Sequence, residues 1–342
     1  MLTGHTGFKG AWLARWLQRL GAKVTGFALP AETEPSLHQM IDATDQSHLG
    51  DLRDGNAVAK VVAEARPELV LHLAAQPLVR RSYREPAATF ATNVMGTVKL
   101  LDALRASPDL SAVLIVTTDK VYENDETGRA FAEGDRLGGH DPYAASKAAA
   151  ELAVASFARS YFDPREVPVA TARGGNVIGG GDWSEDRLVP DIVRAARAGE
   201  SLNLRNPGAT RPWQHVLDCL DGYLTYAQSL ATRSDTPRTL NIGPHDPADT
   251  RTVAQLTAAM HAALGHSGDW TLETAPQPHE MAALALDPSA AHAALGWRGK
   301  LSSEDAIRLT ADWYAAWVNG ADMVAVTDAQ IDGYMAGLEI AT

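Results

Sequence analysis

Glycines at positions 4, 7 and 10 form G-x-x-G-x-x-G directly ahead of an apolar-periodic stretch, Ala11–Leu20. No other feature constrains the fold of this chain as strongly. Glycines permit a tight turn and close backbone approach, and a helix opening behind them offers unpaired N–H groups to a pyrophosphate. Gly4, Gly7 and Gly10 are therefore candidate cofactor contacts. A glycine triplet alone is equally a Gly-rich turn; the β-branched segment Lys23–Phe27, at βαβ spacing, favours a dinucleotide loop. Only Met1, Leu2 and Thr3 precede Gly4, whereas the strand feeding such a loop is central and normally has about five residues. The expectation is a truncated first strand, from a start assigned too late or from tag residues in place of lost ones, with backbone groups of both neighbours left unpaired.

The segments that follow alternate in type. Apolar or β-branched runs stand at Leu69–Leu73, Ala112–Thr117 and Val167–Ala172, separated by helical patterns at Ala57–Ala65, Thr89–Arg105 and Tyr143–Tyr161. Continuous apolar strands alternating with helices predict an α/β fold: a Rossmann-type, doubly wound parallel sheet covered on both faces. After Gly174 the chain becomes Pro- and Gly-rich, then carries helical patterns near Asp218–Leu230, Thr252–Leu264 and Ser302–Asn319. The division expected is a cofactor domain over 1–172 and a smaller substrate-binding lobe over 173–342, with the chain crossing back to the first. A length of 342 residues is ample for this.

Composition narrows the function. Thirty Lys and Arg against 42 Asp and Glu give a net charge of −12, which argues against a nucleic-acid or anionic-membrane partner. The lone Cys219 cannot form an internal disulfide, so a reducing, cytoplasmic setting is expected. No charged-then-apolar leader and no run of about 18 apolar residues is present. The 11 histidines lack paired ligand spacing, so no metal site is expected.

Several strand ends carry chemistry. Asp51 and Leu52 offer a carboxylate and an apolar side chain for the edge and face of an adenine, and Leu73, Ala74, Ala75 and Gln76 end a buried strand with small residues beside which a cofactor can lie. Phe27-Ala28-Leu29-Pro30 presents no acid to a ribose 2′-hydroxyl, so NAD against NADP stays open here. Tyr143-x-x-x-Lys147 places a phenol and an ammonium on one helix face. A phenol of pKa about 10 is too weakly acidic for base work at neutral pH, and a neighbouring Lys⁺ with a cationic nicotinamide is expected to lower it. The bare spacing fits a solvated surface helix equally well; its position after Thr117-Thr118-Asp119-Lys120, at a strand end, favours catalysis. In the second half Asn176 can donate to a diphosphate, and Arg187, Arg205 and Arg211 offer cations, each otherwise a surface ion-pair partner.

Together these motifs resemble the extended short-chain dehydrogenase/reductases and, more narrowly, the CDP-glucose 4,6-dehydratase group, over essentially the whole chain. The most specific stretches are Thr3-Gly4-His5-Thr6-Gly7-Phe8-Lys9-Gly10, Gln76-Pro77-Leu78-Val79-Arg80, Thr118-Asp119-Lys120-Val121-Tyr122, Gly175 to Trp183, and Arg211-Pro212-Trp213-Gln214-His215-Val216. Two departures are the short first strand and Gly174, where the family usually has Ala. The resemblance implies NAD as cofactor, with Thr6, Phe8, Lys9, Asn93 and Thr117 added to its contacts, and Gln76 and Leu188 added to those of a nucleotide-sugar, CDP-glucose first. It implies Tyr143 as the acid/base at C4, Lys147 as its tuner, Thr118 as a hydrogen bond to O4, Lys120 as the base at C5 and Asp119 as the acid at C6. Lys120 carries the argument for dehydration, because epimerases need only hydride transfer; the alternative is a lysine paired with Asp119 for structure. An epimerase, a dehydratase for another nucleotide and a non-catalytic dinucleotide-binding regulator are the competing readings. A homodimer, or a dimer of dimers, is expected through a four-helix interface of Thr89–Arg105 and Tyr143–Tyr161, with Val94, Val98, Leu101, Ala148, Leu152 and Ala155 as candidates.

Overall fold

The computed structural model describes residues 1–124, 126–211, 213–244, 246, 248–266, 268–275 and 284–337. Asp125 and Pro212, the latter within a motif quoted above, lie outside the described residues. Seven parallel strands form one sheet: β1 (Leu2–Thr3), β2 (Thr25–Ala28), β3 (Gln46–Leu49), β4 (Leu69–His72), β5 (Ala112–Thr118), β6 (Val169–Gly174) and β7 (Thr239–Ile242). Their order is β3-β2-β1-β4-β5-β6-β7. The direction of winding reverses between β1 and β4, and a doubly wound sheet opens its ligand crevice at that point, beyond the strand C-termini.

Alternation along β5 shows why the sheet is covered on both faces. All seven of its residues are buried. Leu114 and Val116 join one apolar cluster with Trp12, Leu13 and Leu217, while Val113 and Ile115 join the other with Val58, Leu100 and Val154. Successive side chains point to opposite faces, so each face receives branched residues worth roughly 1.5–3 kcal/mol per fully buried side chain.

The expected deficit of pairing at the first strand is not found. Leu2 and Thr3 pair with Gly26 and Phe27 of β2 on one side and with Leu71 and His72 of β4 on the other. The N–H groups of Leu71 and Leu73 donate to the carbonyls of Met1 and Thr3, and Gly4 N–H donates to Phe27 O. Two strand residues with one flanking residue at each end hold both neighbours, because β2 and β4 are themselves only four residues long.

Two further differences bear on the site. The helix expected over Thr89–Arg105 consists of Pro86–Phe90, a π-helical stretch Ala91–Gly96, and Thr97–Leu104. The π stretch contains Asn93, and such bulges commonly re-aim a functional side chain. Leu101 and Ala148, expected on an intersubunit face, are buried within the chain itself, at 0% and 5% exposure. The second half returns β7 to the sheet and builds short pairs beyond the strand ends: Asn176–Ile178 with Trp213–His215, and Leu202–Leu204 with Trp270–Leu272. Among the described residues no helix is long and apolar enough to cross a membrane.

Candidate active site

The glycine loop follows β1 directly. Gly4 has φ +80°, and a Cβ there would lie 2.8 Å from the Ala74 nitrogen. A Cβ on Gly10 would fall 2.0 Å from Gly4 O, so both positions require glycine. The helix Phe8–Arg19 starts behind Gly7 with no side-chain cap, which leaves its first N–H groups for an anion. A pyrophosphate matches this cradle in charge and in backbone clearance. Thr6 Oγ1 is occupied, donating to Leu29 O (2.8 Å) just past β2. Asp51 does not present a free carboxylate: Arg53 holds it through Nη2 (2.6 Å) and Nε, which lowers its pKa. Leu52 is buried.

At the end of β4, Thr3 Oγ1 bonds His72 Nδ1 (2.7 Å) and receives the Ala74 N–H (3.2 Å). Asn93 accepts from Gln76 N–H (2.8 Å) and donates to Gln76 O and Ser146 Oγ, tying this strand end to the helix Pro142–Phe157. Gln76, expected at both cofactor and substrate, spends its amide inward. Nε2 donates to Leu78 O and Thr89 Oγ1, and Oε1 accepts from Leu78 N–H.

Asp141 caps the helix Pro142–Phe157 by accepting from Ala144 N–H, and Pro142 occupies its first turn. Tyr143 and Lys147 therefore emerge from the fixed end of the helix, where Tyr143 N–H donates to Ser82 Oγ (3.1 Å). Both face a cavity of about 330 Å³ at the sheet's C-terminal edge. Lys147 Nζ donates to Val116 O (2.8 Å). Burial lowers its pKa to about 8, with Lys9 adding to the shift and Glu151 opposing it. Tyr143 departs from expectation: burial pushes its phenol up to about 12, partly offset by a hydrogen bond with Thr118 and reinforced by Asp119. The protein's own groups do not lower this phenol, because desolvation of the phenolate outweighs them.

Thr118 ends β5 and Asp119 follows it, where successive side chains would diverge if the strand continued. The chain instead turns into a 3₁₀ segment, Asp119–Val121, and Thr118, Asp119 and Lys120 all line the cavity with Tyr143 and Lys147. Thr118 Oγ1 donates to Asp119 Oδ1 (2.8 Å). Asp119 is 1% exposed, and its Oδ2 is buried without a hydrogen-bond partner among the described residues. Lys9, Leu73, Ala75 and Thr117 also reach this cavity, whereas Ala74, Gln76 and Asn93 do not line it. Thr117 Oγ1 is turned to Glu151 Oε1 (2.6 Å).

Sequence reasoning missed the support behind these groups. Glu151 lies one helical turn beyond Lys147 on the same face, a spacing that could have revealed it. It accepts from Arg173 Nε (2.9 Å) and Nη2 (2.5 Å), a pair at most 5% exposed. Arg173 Nη1 donates to the Tyr122 hydroxyl (2.9 Å), which donates to Asn241 Oδ1 (2.6 Å). The helix of Tyr143, the turn of Lys120 and strands β6 and β7 are thereby bound into one buried network.

Asn176, Arg187, Leu188, Arg205 and Arg211 also line this cavity. Arg187 lies 3.5 Å from Asp182; Arg205 and Arg80, a cation the sequence reading left without a role, lie 3.5 and 3.2 Å from Asp186. Arg211 donates to Thr210 O (2.8 Å). Guanidinium groups suit a diphosphate, and here three of the four lie beside Asp182 or Asp186.

Comparison with known proteins agrees with this arrangement. The profile of the GDP-mannose 4,6 dehydratase family matches residues 1–310. The chain is similar to the CDP-glucose 4,6-dehydratase of Salmonella typhimurium (strain LT2), 43% identical over 342 residues covering 98% of this chain and 95% of that protein. It is similar, at 32% identity over 290 residues, to the dTDP-glucose 4,6-dehydratase of Xanthomonas campestris pv. campestris (strain B100), covering 79% of this chain and 80% of that one. Among solved structures, a complex of the UDP-glucose 4-epimerase of Thermus thermophilus with NAD matches at TM-score 0.79 and 26% identity, covering 91% of this chain and 97% of that one. The strand order, the glycine cradle, the paired Tyr143 and Lys147, and a profile spanning most of the residues lead to one conclusion: the chain belongs to the GDP-mannose 4,6 dehydratase family.

Proposed function

We propose that this chain is an NAD-dependent lyase that converts CDP-glucose to CDP-4-keto-6-deoxyglucose and water. One observation carries the reading: Asp119 and Lys120 line the same cavity as Tyr143 and Lys147. Epimerisation at C4 needs a single acid/base at O4, whereas dehydration needs a further base for C5–H and an acid for the C6 hydroxyl. Two such sets on one cavity favour dehydration, and the presence of both Tyr143 and Lys147 disfavours a non-catalytic regulator. The identity to the Salmonella CDP-glucose enzyme favours cytidine over thymidine, and NAD is the cofactor that the Thermus relative carries.

The glycine cradle would hold the dinucleotide, which would supply a reversible hydride acceptor for C4 and donor for C6, with no net redox change. Tyr143 takes the C4 hydroxyl proton. An opposite charge within about 4–6 Å lowers a pKa by roughly 1–3 units, enough to bring a phenol near 12 back into working range. The protein's own groups leave the phenol near 12, so this charge would come from a bound pyridinium. Thr118 holds O4 beside the phenol. The ketone at C4 acidifies the C5 proton, which Lys120 removes, and Asp119 donates a proton to the departing C6 oxygen. Asn176, Arg187, Arg205 and Arg211 hold the diphosphate. Leu188 lines the same cavity, while Gln76 acts on loop shape rather than on substrate.

The test is a panel of CDP-, dTDP-, UDP- and GDP-glucose, read by the alkali-induced absorbance of a 4-keto-6-deoxy product. Signal with CDP-glucose at least about tenfold above the others is expected. No signal from any of the four refutes dehydration; a preference for another base refutes cytidine.

The same helices support assembly. Leu152, Met95 and Phe90 are exposed at 64%, 48% and 38% on the adjoining segments Pro142–Phe157, Ala91–Gly96 and Pro86–Phe90. A second copy of this chain covers such a face as a four-helix contact, and the expected mass in light scattering at micromolar concentration is a dimer or a dimer of dimers. A monomer there refutes the assembly.

A further inference from the structure

Lys9 stands between Gly7 and Gly10, and its half-buried side chain lines the cavity that Thr118, Asp119, Tyr143 and Lys147 also line. Its ammonium lies 5.7 Å from the centroid of the Tyr223 ring and has no hydrogen-bond or ion-pair partner among the described residues. Cys219, Asp119 and Asp182 attract it, but none pairs with it among the described residues. Asp182 receives Ser184 N–H and Oγ and approaches Arg187, and one Asp119 oxygen accepts from Thr118. Arg187 repels it, and Lys9 in turn disfavours the charged form of Lys147. A cation without a hydrogen-bond or ion-pair partner among the described residues therefore lines the same cavity as Tyr143 and Lys147. Burial is the main cause of its lowered pKa, as expected of an ammonium so placed.

We infer that Lys9 sets the redox balance of the bound nicotinamide, its ammonium disfavouring the oxidised, cationic ring relative to the reduced, neutral one. The inference rests on the reading of this site as a nicotinamide dinucleotide site. Unit charges several ångströms apart at an effective dielectric near 20 shift a binding ratio by about one to two orders of magnitude. A positive neighbour on this loop weakens the oxidised form and draws the two electrons of the C4–H bond off the sugar as hydride, while Tyr143 takes the O4 proton. In a reaction with no net redox change, that bias holds the C4 ketone long enough for the C5 proton to leave. Lys9 thus acts through the cofactor, as a positioning charge, on the first half of the cycle.

A position on a phosphate loop offers a competing role, direct contact with the pyrophosphate, and the two roles have opposite signatures. Dissociation constants for NAD⁺ and NADH are measured separately by calorimetry on the wild type, Lys9→Met and Lys9→Arg. The expected result is that Lys9→Met shifts the ratio at least about tenfold toward NAD⁺, equivalent to about 30 mV for a two-electron couple, and that Lys9→Arg keeps the wild-type ratio. If Lys9→Met fails to fold, Lys9→Gln, neutral and polar, must show the same shift. Equal weakening of both forms assigns the ammonium to the pyrophosphate and overturns the inference, as does an unchanged ratio. Failure of the wild type to bind either form overturns the cofactor reading itself, and the inference with it.

Discussion

Replacing Tyr143 with phenylalanine is expected to lower turnover by about 10²–10⁴-fold, the range for loss of a positioned acid/base. The substitution removes one oxygen and little volume from a residue 8% exposed. Tyr143 N–H, which anchors the helix to Ser82, is untouched. Cooperative unfolding should survive, so the loss reads as chemistry. The pH profile gives a second readout. A phenol that burial holds near 12 is protonated at neutral pH unless cationic charge lowers it, and kcat/KM should rise with pH wherever the phenolate fraction limits the rate. That rising limb should vanish in Tyr143→Phe. Turnover within a few-fold of wild type would remove Tyr143 from the mechanism.

Lys120→Met is expected to divide the cycle. The side chain keeps its length and loses its amine, while Tyr143, Thr118 and Lys147 remain in place for oxidation at C4. Mixing the variant with cofactor and CDP-glucose should still produce the near-ultraviolet absorbance of the reduced dinucleotide. The 6-deoxy product should fall by about 10²–10⁴-fold, and solvent deuterium should not enter C5. The turn Asp119–Val121 makes this partition possible, because it brings two consecutive side chains to one cavity. Dehydration at the wild-type rate with deuterium at C5 would place the base elsewhere and return Lys120 to a structural role beside Asp119.

Legibility of the fold followed the range of the interactions involved. The parallel sheet was readable because β4, β5 and β6 are continuous apolar runs, and the glycine loop because its requirement is local. β3, Gln46-Ser47-His48-Leu49, was not found: it is a polar edge strand, mostly exposed, without the alternation that marks a half-buried strand. The sufficiency of Leu2 and Thr3 as a central strand was equally hidden, since it depends on the shortness of two strands elsewhere in the chain. β7 is four residues from the other half of the sequence, recruited by β6. At the site, the meeting of Tyr143, Lys147 and the β5 end followed from spacing and from strand-end logic. The inward turn of the Gln76 amide, the capture of Asp51 by Arg53 and the Glu151–Arg173–Tyr122 network did not, because each depends on partners that only tertiary packing brings close. The rise of the Tyr143 pKa belongs with these, since burial cannot be read from a four-residue spacing.

Gly174, at the end of β6, has its counterpart at Tyr223, far along the chain. A Cβ at 174 would lie 2.4 Å from the Tyr223 hydroxyl and 3.8 Å from Cys219 Sγ, and Tyr223 is a rigid ring with no exposed surface into which it could retreat. The two positions therefore share a single small volume, and only one of them can fill it. Alanine at 174 is compatible with phenylalanine at 223, and glycine at 174 with tyrosine. A lineage moving between these states passes through either a steric overlap or a void, so the order of the two changes matters: losing the hydroxyl first leaves a gap that alanine then closes, whereas gaining the methyl first drives it into the Tyr223 hydroxyl at the β6 terminus. In descendants of such a chain the two sites should behave as one inherited character.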